Sequence, residues 1–259
     1  MSNAYCICST TEAYKSYVDH WKNILTAVDS KSLWWVIDES KNFNDDPKHP
    51  LYSNWFLFCE SIVRDNFSFQ HNPSSHHFWN TRGDKNIIWF YAVLRMMNFY
   101  KSHPNHDYYW FFDDDVRCNN WNDFFVGFDR NTSDFISYFV FKNTNVMSHD
   151  VIPTVDHKMH SFNWFSRFPG HGDVLPIDSS DFFGSFFAIT RFSNDAMKAL
   201  IEDHKKGFYG YSEGFVPTVL AKRGMILDTI YRPDNTSDFF DIKKVEILHK
   251  NIPITWSWL

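Results

Sequence analysis

No uninterrupted apolar run in this 259-residue chain reaches the about 20 residues that a membrane-spanning helix needs, and no basic-plus-apolar leader opens it. Cysteine is scarce: Cys6, Cys8, Cys59 and Cys118 lack the spacing of a zinc site, which argues against a structural zinc. Without secretory features, buried reduced thiols are expected rather than disulfides. Cys6-Ile7-Cys8, read as a strand, puts both thiols on one face. There is no basic excess either. The 25 lysines and arginines stand against 31 acidic residues, a formal charge of −6, which disfavours nucleic acid as a partner. Repeats, low-complexity tracts and linkers are also missing, so one domain over 1–259 is expected. These absences lead us to expect a cytoplasmic location, or one at the inner face of a membrane with peripheral association.

What the chain has in quantity is aromatic side chains. They make up 20% of the residues, 28 of them Phe, within a hydrophobic fraction of 44%. That composition builds a globular core, and core packing is the default reading for most of these rings. The most informative stretch is Tyr108-Tyr109-Trp110-Phe111-Phe112-Asp113-Asp114-Asp115, an aromatic strand ending in three consecutive carboxylates. Adjacent anions repel one another, which costs free energy unless something positive sits among them. Alternation along an extended backbone sends Asp113 and Asp115 to one side and Asp114 to the other. Oxygen ligands of this kind suit hard divalent cations such as Mg²⁺ or Mn²⁺. Asp clusters also occur in turns that cap helices, and that reading stays open at this point.

Alternating elements surround this run. Residues 4–9 read as a strand and a helix follows to about Val28. Leu33–Ile37 is a second strand ending at Asp38, and residues 55–63 are strand or helix. A helix over 86–100 precedes the aromatic strand. Phe135–Phe141 and Asp181–Ile189 read as strands, and residues 143–180 as a long loop. Ser193 caps a helix to Lys205, a second helix runs from about Glu213 to Arg223, and Met225–Tyr231 is a late strand. Strand-helix alternation of this kind specifies an α/β fold with a mixed, mainly parallel sheet flanked by helices.

Four features in order resemble nucleotide-sugar glycosyltransferases of the GT-A (Rossmann-like) fold. They are Asp113-Asp114-Asp115 as a DxD motif, Asp181-Phe182-Phe183-Gly184-Ser185, Glu213 at a helix start, and the late His249 in Leu248-His249-Lys250. The likeness is greatest to bacterial enzymes of surface-polysaccharide synthesis. It implies a nucleotide-binding half over 1–115 and an acceptor-binding half over 116–259. Asp113, Asp115 and His249 would hold Mn²⁺ or Mg²⁺. Ser9, Thr10, Asp38, Arg82, Lys85, Asp113, Asp114 and Lys250 would contact the nucleotide, with Asp114 alternatively bonded to backbone or solvent. Asp181, Gly184, Ser185 and the loop residue Trp164 would line the sugar sites, with His171 and Asp173 as further loop candidates. Glu213 would be the general base of an inverting transfer from a UDP-sugar to an oligosaccharide or glycolipid. For His249 the competing reading is a surface histidine in a basic tail, and for Ser212-Glu213 a plain helix cap.

Two other readings exist. A nucleotidyltransferase also pairs carboxylates with a metal, but the Gly- and basic-rich loop it usually carries after the first strand is absent from Ser9-Thr10-Thr11-Glu12. A non-enzymatic carbohydrate-binding protein using Ca²⁺ for structure would require a sheet-dominated fold.

Overall fold

The computed structural model describes residues 2–38, 54–59, 63, 66, 92–142, 183–206, 212–232 and 234–253. Their framework is a seven-stranded sheet. Chain order begins with β1 (Asn3–Thr10), α1 (Thr11–Tyr17), a 3₁₀ helix (Val18–Thr26), β2 (Leu33–Asp38) and β3 (Asn54–Phe58). Next come α2 (Ala92–Ser102), β4 (Tyr108–Asp113), β5 (Val116–Cys118), α3 (Trp121–Gly127), β6 (Phe135–Ser137) and β7 (Val140–Lys142). The remainder is β8 (Phe183–Ser185), β9 (Ile189–Ser193), α4 (Asn194–Lys205), α5 (Ser212–Lys222), β10 (Leu227–Thr229), β11 (Ile247–His249) and β12 (Ile252–Pro253).

The sheet order is β10-β6-β9-β4-β1-β2-β3, with β5, β11 and β12 in a second small sheet and β7 paired with β8. Neighbours in the large sheet are parallel except on both sides of β9, which runs against β4 and β6. This is the mixed, mainly parallel sheet that the strand-helix alternation specifies. The chain steps outward from β1 to β2 and β3, then crosses back to lay β4 on the other side of β1. The strand order therefore reverses between β1 and β4, the position at which open α/β sheets form their ligand crevice.

Side-chain alternation sorts the strands into two cores. Cys6, Cys8 and Phe111 face a layer with Met96 of α2, Leu200 of α4 and Phe215 of α5. Ile7, Trp110 and Phe112 face the opposite layer with Trp21 of the 3₁₀ helix and Trp121 and Phe124 of α3. Cys6 and Cys8 thus share a face, and none of the four buried cysteines is in a disulfide.

Three elements differ from the sequence reading. The first helix gives way after Tyr17 to the 3₁₀ segment. That segment carries Trp21 into the core, where it stacks on Trp121 at 5.2 Å and donates through Nε1 to the Asp114 carbonyl at 2.9 Å. Phe135–Phe141 is two short strands rather than one. Tyr138 and Phe139 both pack into the same core layer, which neighbours on an alternating pleat would not do, and the chain leaves the large sheet there. The Asp181–Ile189 segment likewise divides into β8 and β9 around a turn at Phe187-Ala188.

Candidate active site

Two strand ends frame the site. Cys8 of β1 lies opposite Asp113 of β4, and Thr10 lies opposite Asp38 of β2. Ser9, Thr10, Asp38 and Asp113 therefore gather at the carboxyl edge of the parallel strands. Asp114 and Asp115 form the tight turn from β4 to β5. The separation of the three carboxylates expected from strand alternation holds, but the turn creates it. Asp114 swings back to β1, where the Ser9 hydroxyl donates to its Oδ2 at 2.5 Å. With Trp21 on its carbonyl, Asp114 clamps the turn to the first strand. That is a use for the middle carboxylate that the sequence alone does not supply.

His249 arrives by strand pairing. β11 runs antiparallel to β5 and sets His249 opposite Val116, the residue after Asp115. The tail leading to β11 is docked on α3. There Phe239 stacks on Phe128 at 4.2 Å, and its carbonyl comes so close to Gly127 that a Cβ would sit 2.1 Å away. His249 is 7% exposed, so the surface-tail reading is wrong.

Asp113, Asp115 and His249 offer ligand atoms that all lie within 4.8 Å of one another. His249 Nε2 approaches Asp115 Oδ1 to 3.1 Å, yet that buried oxygen takes part in no hydrogen bond. Adjacent ligands on an octahedral cation with bonds of about 2.1 Å are about 3 Å apart, so the pair is spaced as two ligands of one ion. Two hard carboxylates and an imidazole suit Mn²⁺ or Mg²⁺. The electrostatics agree. Burial raises the Asp113 carboxyl above its usual range although 34% of its side chain meets solvent, and it pushes Asp114 up to about 6. A bound cation would offset that cost.

Arg95 is the residue that sequence reasoning missed. It projects from α2 and donates to Asp113 Oδ1 at 2.7 Å, with 18% of its side chain exposed. Its signal was a cation on the otherwise apolar face of the helix preceding the Asp strand.

Glu213 opens α5, and its Oε1 accepts from the Phe187 amide at 3.3 Å in the β8–β9 turn. The same segment touches two members of the cluster: the Phe186 ring meets His249 edge-on at 5.5 Å, and the Ala188 carbonyl accepts from the Asp113 amide at 3.0 Å. Pro217, four residues after Glu213, has no N–H to give the Glu213 carbonyl. The Ser185 hydroxyl donates to that carbonyl instead, at 2.9 Å. The Ser212 oxygen turns to another helix, accepting from the Val93 amide of α2 at 3.1 Å, so it is more than a cap for its own helix.

The other candidates are placed as follows. Thr10 Oγ1 accepts from the Ala13 amide and caps α1. Gly184 is buried in β8, beside Ser185. Lys250 is exposed on the β11–β12 turn, next to His249. Arg82, Lys85, Trp164, His171, Asp173 and Asp181 lie outside the described residues.

No family model matches the chain, and no curated protein matches it. Solved structures do. The core-mannan synthase A (CmsA/Ktr4) of Aspergillus fumigatus, in its Mn/GDP form, aligns with 95% of this chain and 74% of that one, at 12% identity and a TM-score of 0.46. Mouse xyloside xylosyltransferase 1, in its apo form, aligns with 89% of this chain and 86% of that one, at 11% identity and a TM-score of 0.43. Neither likeness is close enough to carry an activity to this chain.

Proposed function

We propose that the chain is a metal-dependent glycosyltransferase that moves a sugar from a nucleoside diphosphate to a carbohydrate hydroxyl. The observation that carries this reading is the convergence of Asp113, Asp115 and His249 at the carboxyl edge of β4, where the strand order reverses. Phosphate-bearing ligands occupy that crevice in open α/β sheets, and carboxylate-held divalent ions accompany them. When bound there, a divalent cation supplies Lewis-acid stabilisation to a diphosphate leaving group.

The chain's own residues have separate parts. Asp113 and Asp115 with His249 would hold the ion, Arg95 fixes one oxygen of Asp113, and Lys250 stands near enough to the cluster in sequence to meet a phosphate as a point charge. Glu213 accepts the proton of the acceptor hydroxyl while that oxygen forms its bond to the anomeric carbon. The bond to the diphosphate breaks on the opposite face, so the configuration inverts. We assign UDP as the nucleotide because it is the commonest donor of the GT-A architecture, and an oligosaccharide or glycolipid of a surface polysaccharide as the acceptor on the resemblance of the sequence motifs. Four buried cysteines outside disulfides support a cytoplasmic setting.

A thermal-shift panel tests this reading. UDP, GDP, ADP and CDP are compared with and without Mn²⁺, on the parent chain and on Asp115→Ala. A ligand of the native state raises the apparent melting temperature. We expect a shift with UDP only when Mn²⁺ is present, and its loss in Asp115→Ala. Glu213→Gln should keep the shift and lose sugar transfer. No shift with any nucleotide would overturn the proposal, and a shift with GDP alone would change the donor.

A further inference from the structure

Glu213 and Asp113 belong to different parts of the chain, and two routes of contact join them. One runs through the β8–β9 turn, from the Phe187 amide on Glu213 Oε1 to the Ala188 carbonyl on the Asp113 amide. The other runs through Ser212. This residue is 2% exposed, and its oxygen receives the Val93 amide from a segment 119 residues away. Val93 lies at the described start of α2, and Arg95, two residues on, donates to Asp113 Oδ1 at 2.7 Å. The acceptor of the Val93 amide is thus the residue next to the candidate base.

We propose that Ser212 is a positioning residue that couples the helix of Glu213 to the metal carboxylate Asp113, through Val93 and Arg95. This rests on the metal reading of Asp113, Asp115 and His249. The physical reasoning is geometric. A guanidinium aimed at one oxygen of Asp113 selects a carboxylate rotamer and leaves the other oxygen for a cation. The direction of Arg95 depends on where the first described turn of α2 sits, and the Val93–Ser212 hydrogen bond fixes that turn to α5. Without the Ser212 oxygen, the buried Val93 amide loses this acceptor, and the first described turn of α2 is no longer tied to α5. Asp113 then loses its fixed orientation, and the cost falls on the ion.

The test is Mn²⁺ titration of the full chain, followed by the paramagnetic resonance of the free ion, with no nucleotide or sugar present. Three chains are compared: the parent, Ser212→Ala and Ser212→Thr. We expect Ser212→Ala to weaken Mn²⁺ binding about fivefold and to speed hydrogen exchange at the Val93 amide. Ser212→Thr keeps the oxygen and should stay within twofold of the parent. Should Ser212→Ala fail to fold, Ser212→Cys keeps the volume but offers only a weak acceptor, and should also weaken binding. A melting temperature that falls while Mn²⁺ affinity stays within twofold of the parent would make Ser212 a packing residue and overturn the proposal. A parent chain that binds no Mn²⁺ at millimolar concentration would remove the metal reading, and this inference with it.

Discussion

Lys250 and Asn251 form the two-residue loop between β11 and β12, and both take positive φ, 54° and 63°. That is the backbone of a hairpin turn favouring Asn or Gly at each position. Asn251 suits it. Lys250 does not, because a long side chain in the left-handed region is strained by about 1 kcal/mol. Strain kept beside His249 suggests that the charge is wanted there. Lys250→Asn should raise the urea midpoint by the equivalent of about 0.5–1 kcal/mol, and should weaken metal-dependent nucleotide binding severalfold. An unchanged nucleotide affinity would remove Lys250 from the phosphate site. The left-handed turn was half legible in the sequence, since Asn251 favours it and Lys250 does not. Asp113 and Asp115 stood out because carboxylates close an aromatic strand, and His249 entered through the family resemblance; the structure puts it at the end of β11. Arg95 did not stand out, because one cation on an otherwise apolar helix face names no partner until the fold sets it against Asp113.

At the scale of elements, the start of α5 is stabilised by a substitution of one donor for another. Pro217 removes the amide that would reach the Glu213 carbonyl, and the hydroxyl of Ser185 in β8 replaces it at 2.9 Å. The strand is pinned further along the same helix, where Thr218 Oγ1 accepts from the Phe183 amide at 3.0 Å and donates to its carbonyl at 3.2 Å. Ser185→Ala should therefore cost about 1–2 kcal/mol in chemical denaturation, the usual penalty for removing a buried donor. In a Pro217→Ala background the helix recovers its own amide, and Ser185→Ala should cost less than half as much. A double-mutant cycle with no coupling would show that the two donors do not serve the same carbonyl. The sequence reading put both ends of α5 within one residue and marked Ser193 as the cap of α4, whose oxygen accepts from the Ala196 amide at 3.0 Å. The short strands around it were harder. β8 and β9 lie in one apolar run and belong to different sheets, and only the burial of Phe187 and Ala188 at the turn separates them.

For the molecule as a whole, the burial of histidines has an electrostatic consequence. His103 sits at 4.3 Å from the Trp34 ring and 4.6 Å from Phe99, His106 meets Tyr109 edge-on at 5.6 Å, and His204 lies in the last turn of α4. Burial lowers the pKa of all three, and for His204 it does so to about 4, with the Lys101 charge adding to the effect. A helix C-terminus favours a cation, so at His204 desolvation outweighs the dipole. The sign follows from proton counts. Between pH 6.5 and 4 the unfolded chain binds a proton at His204 that the folded chain does not, so stability falls as pH falls through that window and levels off below it. Asp114 works in the opposite direction, because burial raises its carboxyl, and the parent's own pH profile mixes the two. The difference between the parent and His204→Gln isolates the histidine. Urea denaturation at pH 7.5, 6, 5 and 4.5 should show the variant gaining on the parent steadily below pH 6.5, by about 2 kcal/mol at the lowest pH. Parallel profiles would mean that His204 titrates in the folded chain as it does in the unfolded one, and that the aromatic core leaves this end of α4 open to water.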